Sequence, residues 1–130
     1  MNETRELVEF LAGLEPRDLP AEVFERARYL LLDYLGVAIR GSRAESSAPL
    51  YKMIERLNAT GCATVIGTSV RTLPAYAALA NGTAAHAIEL DDTHNAGSIH
   101  LGVVMFSTAL ALAESLPEIS MERFTVAVVA

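Results

Sequence analysis

The sequence predicts an all-α protein, a helical bundle-like chain with at most one short extended segment near residues 62–67. Apolar residues recur at helical spacing through most of the 130 residues, and proline and glycine stand where helices would begin and end. Only the run CATVIG is rich in β-branched residues, and a single short strand cannot form a sheet alone. The length is that of one domain.

Two helices are expected before residue 42. The first covers about residues 3–13 and ends at a glycine. The second begins at Pro20, a favoured first-turn residue, and ends at Gly41. Its apolar positions cover a broad face, which is typical of a central helix. Asp33 lies on the remaining polar stripe, where we expect a solvated or ion-paired structural role.

Four more helices are expected in the rest of the chain, over about 46–58, 74–90 and 98–115 and from Ser120 onward. Thr72 is expected to cap the second of these and Pro74 to open it. That helix is rich in alanine and glycine, which would let a neighbouring helix approach closely.

Composition and charge exclude several classes of protein. A net charge of −6 argues against affinity for nucleic acid or an anionic membrane. The single cysteine, Cys62, excludes a disulfide framework, fits a reducing cytosol, and is expected to be a small core residue. The acidic N-terminus is unlike a secretory signal, and the longest apolar stretch, 101–113, is too short to span a bilayer. We therefore expect a cytoplasmic protein.

The last segment, SMERFTVAVVA, stops while it is still apolar and helical. Nothing in it satisfies the last carbonyl groups or turns the chain away. The expectation is that the chain is the front part of a longer protein, and that some of its apolar surface is covered by another structure.

All three histidines fall within HAIELDDTHNAGSIH, residues 86–100, together with three carboxylates. His86 and Glu89 are three residues apart and share a helical face. The run Asp91-Asp92-Thr93-His94 follows where the helix should end, so these side chains are free to point into a cleft. His100 falls in the first turn of the next helix.

Helix polarity gives these histidines different expected environments. A helix start disfavours imidazolium and attracts anions, so a carboxylate could be cradled near residues 97–99 beside a neutral His100. Asp91 and Asp92 would instead favour the protonated form of His94. Three interpretations stay open at this point: a metal site, although the spacing matches no compact metal motif; a structural role in capping and core contacts; and acid/base chemistry or anion binding.

The stretch VIGTSVRTLPAYAALANGTAAHAIELDDTHNAGSIHLGVVMFSTALALAE resembles the MmgE/PrpD family, through its Asn-Gly, Ala-His, Asp-Asp-Thr and His-Gly-like helix start. The earlier LLDYLGVAIRGS is similar to that family's N-terminal signature. The resemblance implies that residues 1–130 are the N-terminal portion of the family's all-helical domain, and that the rest of that domain and a smaller α+β domain lie outside the chain.

The family includes 2-methylcitrate dehydratase, cis-aconitate decarboxylase and iminodisuccinate epimerase. The resemblance therefore implies a lyase or isomerase that acts on small polycarboxylates with no metal and no organic cofactor. It also implies a dimer. The expected partners are a polycarboxylate substrate and a second copy or the missing C-terminal part, with no nucleic acid and no membrane.

Carried onto this sequence, the resemblance implies a catalytic set of His100, Asp91 and Asp92. His100 would transfer a proton or orient the substrate, and the two aspartates would be orienting carboxylates. The implied substrate-binding set is Thr93, Glu89, His94 and His86. Family members often have Asp where this chain has Glu89.

Residues 86–100 contain no lysine or arginine, and Lys52 is the only lysine of the chain. A polycarboxylate beside three carboxylates would be repelled unless cations came from elsewhere. Arg71 is the nearest candidate in sequence, and the resemblance implies that further lysines and histidines lie beyond residue 130. We therefore expect the chain to be inactive alone. The alternative is a helical interaction module that pairs with a separately encoded remainder.

Overall fold

Six helices and one two-stranded hairpin make up residues 2–130, which a computed structural model describes. The helices are α1 (Glu3–Gly13), α2 (Ala21–Gly41), α3 (Ala48–Leu57), α4 (Pro74–His86), α5 (Leu101–Ala113) and α6 (Met121–Val129), with a 3-10 turn at Pro16–Asp18. The antiparallel strands are β1 (Ala63–Thr64) and β2 (Arg71–Thr72). The all-α prediction is confirmed.

Helix α4 is the centre of the fold because its small side chains let α2 and α5 approach on two sides. Ala77, Ala80, Ala84 and Ala85 are all completely buried. Helices α4 and α5 run antiparallel, since Gly82 lies against Ser107 while Ala77 packs with Ala111 near the other end. The end of α4 and the start of α5 are therefore neighbours.

The main hydrophobic core lies between α2, α4, α5 and α6. Its buried members are Tyr34, Val37, Ala38, Ala85, Phe106 and Phe124. The rings of Tyr34 and Phe106 pack at a centroid distance of 5.6 Å. The Tyr34 hydroxyl is 2.9 Å from the Ser107 hydroxyl, so this buried polar group has a partner. Burial raises the pKa of Tyr34 to about 12.

The hairpin is attached to α4 through Asn81, which is 2% exposed. The Asn81 carbonyl oxygen accepts from the Ile66 N–H at 2.8 Å, and its amide group donates to the Thr64 carbonyl at 2.9 Å. The Glu114 carboxylate accepts from both the N–H and the hydroxyl of Thr64 at 2.6 Å. The predicted extended segment has a partner strand, β2, which includes Thr72, the residue predicted as a helix cap.

Two local predictions are wrong. Thr72 does not cap α4, because it is paired in β2, and Leu73 occupies the N-cap position without a side-chain bond. Cys62 is exposed rather than part of the core. Side chains alternate along an extended segment, and the inward positions here are Ala63 and Val65, so Cys62 points the other way.

The Thr72 hydroxyl is buried without a hydrogen-bond partner among the residues described. Replacing Thr72 with valine keeps the shape and removes the cost of burying that hydroxyl. We expect the free energy of unfolding to rise by about 1 kcal/mol. Urea denaturation followed by circular dichroism measures it, with Thr72→Ser as the matched variant that keeps the hydroxyl and loses the methyl group. A valine variant less stable than the serine variant would contradict the prediction.

Much apolar surface is left uncovered. Helix α1 has no buried residue, and Leu7, Val8 and Phe10 are all more than half exposed. Asp33 is exposed on α2, in agreement with a solvated role. Across residues 2–130, none of the helices combines the length and the apolarity needed to cross a bilayer.

Candidate active site

The loop between α4 and α5 returns His100 to the side of His86. Glu89 adopts a left-handed backbone conformation at φ 53°, which ends the helical region before the predicted residue 90. A bridge between His94 and Ile99 closes the tip of the loop, with the His94 N–H donating to the Ile99 carbonyl at 2.8 Å. Ser98 is also left-handed, at φ 48°, so α5 begins at Leu101 rather than at residue 98.

A single buried carboxylate, Asp91, contacts both histidines of this site. Its side chain is 2% exposed, and its Oδ2 lies 3.0 Å from Nδ1 of His86 and 3.0 Å from Nδ1 of His100. The two rings meet edge to face at a centroid distance of 4.8 Å. A carboxylate accepts from N–H groups, so Asp91 fixes the Nδ1–H form of each neutral ring and leaves Nε2 for other partners.

The electrostatics of the site centre on His86. The hydrogen bond to Asp91 raises the pKa of His86 above its usual value; partial burial opposes this, and the charges of Asp91 and Glu89 raise the pKa further. Glu89 Oε1 lies 3.3 Å from His86 Nε2, as the three-residue spacing predicted. The arrangement favours an imidazolium at His86 that can donate a proton.

Both histidines line an open cleft of about 770 Å³ between α4 and α5. Hydroxyl groups that the sequence analysis did not single out also line it, from Ser46, Thr83, Ser107 and Thr108. Helical spacing could have found three of them: Thr83 is three residues before His86, and Ser107 and Thr108 are seven and eight residues after His100. The Ser107 hydroxyl is already bonded to Tyr34 and to the Val103 carbonyl.

The structure brings together four of the seven predicted site residues: His86, Glu89, Asp91 and His100. Thr93 lies at the edge, with its hydroxyl 3.4 Å from His100 Nδ1, which is a weak contact. His94 points elsewhere, because its Nδ1 accepts from the Gly97 N–H at 3.0 Å. Asp91 contacts His86 and His100 instead of His94. The expected pairing of His94 with the aspartates is therefore wrong.

The predicted anion cradle at residues 97–99 is also wrong. The N–H groups of Gly97 and Ile99 bond to the His94 carbonyl, and that of Ser98 to the Asn95 carbonyl. At the start of α5, Gly102 has one of the N–H groups that lack an intrahelical partner, and Asp92 accepts from it at 3.0 and 3.3 Å. The chain's own carboxylate thus occupies the anion position, and the catalytic role implied for Asp92 stays a prediction.

Removing the Asp92 cap should loosen α5 without touching the histidine pair. We expect Asp92→Ala to lower the free energy of unfolding by about 1 kcal/mol, the usual worth of an N-terminal cap. Asp92→Asn keeps an accepting oxygen and should lose less. Chemical denaturation of the three proteins checks the order, and an alanine variant as stable as the parent would rule out the cap.

Within residues 2–130, no lysine or arginine side chain lines the cleft. Arg71 lines a separate cavity with Ile54 and Glu55, and Lys52 is exposed on α3. Neither basic residue therefore supplies the positive charge that a polycarboxylate would need beside the carboxylates of residues 86–100.

Comparison with known sequences supports the family. A sequence model described as the MmgE/PrpD N-terminal domain matches residues 5–130. The chain belongs to the MmgE/PrpD family. It is 38% identical over 113 residues to the cis-aconitate decarboxylase-like protein oryM of Aspergillus oryzae, which covers 87% of this chain and 23% of that protein.

Two cis-aconitate decarboxylases are also similar. The Aspergillus terreus protein is 31% identical over 115 residues, covering 88% of this chain and 24% of that protein. The Homo sapiens protein is 35% identical over 108 residues, covering 81% of this chain and 22% of that protein. The chain therefore spans about a quarter of the length of the relatives it matches.

Proposed function

We propose that this chain supplies the acid/base side of the active site of a metal-independent lyase that acts on small polycarboxylates. The observation that carries the proposal is the pair of imidazoles, His86 and His100, held by the buried Asp91 at the edge of a cleft. The names of the relatives make cis-aconitate the first substrate to test. Dehydration of 2-methylcitrate is the second reaction of the same class.

In decarboxylation, the bond between carbon and one carboxylate breaks and carbon dioxide leaves. The electron pair is delocalised through the neighbouring carbon–carbon double bond onto a remaining carboxylate, until a proton is added to the carbon beside that carboxylate. We assign His86 as the proton donor, because its hydrogen bond to Asp91 stabilises the imidazolium. His100, which is 27% exposed against 45% for His86, lies beside it and orients the substrate. A positioned acid contributes about 10²- to 10⁴-fold in rate.

The site proposed here is incomplete without cations. Glu89 and Asp91 are within 3.3 Å of the histidines and would repel a substrate with two or three negative charges. A second protein segment, either the remainder of the fold or another copy, would supply lysine, arginine or further histidine side chains. We accordingly expect no turnover by the isolated chain.

The test compares the isolated chain with the chain co-expressed with the C-terminal three quarters of the Aspergillus oryzae relative. Each preparation is incubated with cis-aconitate and with 2-methylcitrate, and products are followed by ¹³C NMR. We expect turnover only in the co-purified complex, with loss of turnover in His86→Gln and a normal circular dichroism spectrum. Enzyme-like turnover by the chain alone would overturn its incompleteness. A folded, co-purified complex that converts neither substrate would overturn the lyase proposal.

The uncovered apolar surface favours a second candidate, a helical interaction module. Helix α1 buries none of its side chains within residues 2–130 and exposes Leu7, Val8 and Phe10. A module of this kind would bind the complementing segment without needing its histidines. Complex formation that survives His86→Gln together with His100→Asn, with no catalysis by the parent complex, would favour it.

A further inference from the structure

We propose that His86, Glu89 and His100 form a binding site for one divalent transition-metal ion of the zinc class, which inhibits the site rather than serving it as a cofactor. One ligand atom from each of the three side chains lies within 4.8 Å of the other two. Two imidazoles and one carboxylate are a ligand set that suits zinc and its neighbours in the first transition row.

Asp91 gives the set an outer shell of the kind that metal sites need. It holds Nδ1 of both imidazoles at 3.0 Å from a carboxylate that is 2% exposed. A histidine that binds a metal through Nε2 commonly donates its other N–H to a carboxylate, which fixes the ring and makes the nitrogen more basic. Here one buried carboxylate does this for two rings at once.

One pair of ligand atoms already has the separation that a bound ion requires. His86 Nε2 and Glu89 Oε1 are 3.3 Å apart. Two ligand atoms of a tetrahedral site with bonds of about 2.0–2.1 Å are separated by about 3.3 Å. The other separations in the set are at most 4.8 Å, so coordination requires side-chain movement of up to about 1.5 Å. Glu89 is 73% exposed and His86 45% exposed, so both side chains can move. The three protein ligands leave a fourth position for water.

The ion would be an inhibitor because it takes the nitrogens that proton transfer needs. Asp91 already occupies Nδ1 of each ring, so Nε2 is the nitrogen left for either a metal or a substrate. The inhibitory role rests on the proposed lyase function, whereas metal binding does not, because binding can be measured without turnover.

The experiment titrates the metal-free, tag-free 130-residue chain with zinc by calorimetry, and with cobalt(II) by visible absorption, which reports coordination by nitrogen and oxygen. We expect one equivalent to bind. Glu89→Gln, an exposed change that leaves the fold intact, and His100→Asn, which keeps a residue suited to the start of a helix, should each weaken binding by more than about 10-fold. Asp91→Asn should weaken it by about 10- to 100-fold, the usual effect of an outer-shell change.

The third histidine is the matched control. His94 belongs to the same loop and is exposed, but its Nδ1 is bonded to the Gly97 N–H and it lies outside the cluster. His94→Ala should bind zinc within about twofold of the parent, as expected for a residue that is neither ligand nor outer shell. Absence of stoichiometric binding by the parent, or equal losses in His94→Ala and Glu89→Gln, would overturn the proposal. Turnover is not measured, so failure here leaves the lyase proposal standing.

Discussion

Replacing Gly41 with alanine is expected to destabilise the chain by about 3 kcal/mol, at the upper end of the cost of overpacking. An added Cβ at this position would lie 1.8 Å from the carbonyl oxygen of Ala84 and 2.8 Å from its carbonyl carbon. Both atoms belong to the backbone of α4, so no side-chain rotation can relieve the clash. Helices α2 and α4 would have to separate where α4 approaches its last turn, which carries His86.

Gly36 provides the matched control within the same helix. No atom lies within 4 Å of a Cβ added there, so Gly36→Ala should raise the free energy of unfolding by about 0.5–1 kcal/mol through improved helix propensity. Urea denaturation monitored by circular dichroism compares the two variants with the parent chain. Similar stabilities for Gly36→Ala and Gly41→Ala would show that the two helices do not cross at Gly41.

The sequence predicted the helices best where local chemistry decides their ends. The structure places α1 over the predicted residues and begins α2 immediately after Pro20, and the Ser120 hydroxyl caps α6 by accepting from the Arg123 N–H at 3.2 Å. These signals depend on neighbours within three or four residues. Tertiary contacts do not override them.

The ends of α4 and α5 could not be predicted in the same way. Glu89 and Ser98 adopt left-handed conformations that residues of these types seldom take. Nothing in the local pattern marks them, and they occur in a loop whose path is set by contacts such as the Asp92 cap on Gly102 and the His94–Ile99 bridge. The strand β2 was missed for a different reason: a pattern of two residues is too short to recognise.

The composition of the candidate site was predictable, but its internal arrangement was not. Clustering of all three histidines with three carboxylates was visible in the sequence. Asp91 and Asp92 are adjacent and chemically identical, yet one is buried against two imidazoles and the other binds the start of α5. Only the path of the loop determines which aspartate makes which contacts. The same path excludes His94, which spacing alone could not distinguish from His86.

Asp91→Asn should have the largest effect on the chemistry of the site. An amide cannot match the charge that stabilises an imidazolium, so the pKa of His86 should fall toward its ordinary value of 6.5. Nitrogen-15 NMR of the imidazoles, in metal-free buffer across pH 5 to 9, measures this directly. In the complex with the complementing segment, turnover should fall by about 10²- to 10⁴-fold, the range expected for loss of a positioned acid.

The same substitution makes a signed prediction about stability. The pKa of His86 is raised in the folded chain, so its pairing with Asp91 contributes stability that is fully present below pH 6.5 and is lost as the pH rises through the folded value. The parent should therefore exceed Asp91→Asn in unfolding free energy by more at pH 5.5 than at pH 9. Asp92→Asn removes the neighbouring charge without contacting His86, and should change the pKa of His86 much less. A pH-independent gap between parent and Asp91→Asn, or equal pKa changes in the two asparagine variants, would show that His86 does not take its proton affinity from Asp91.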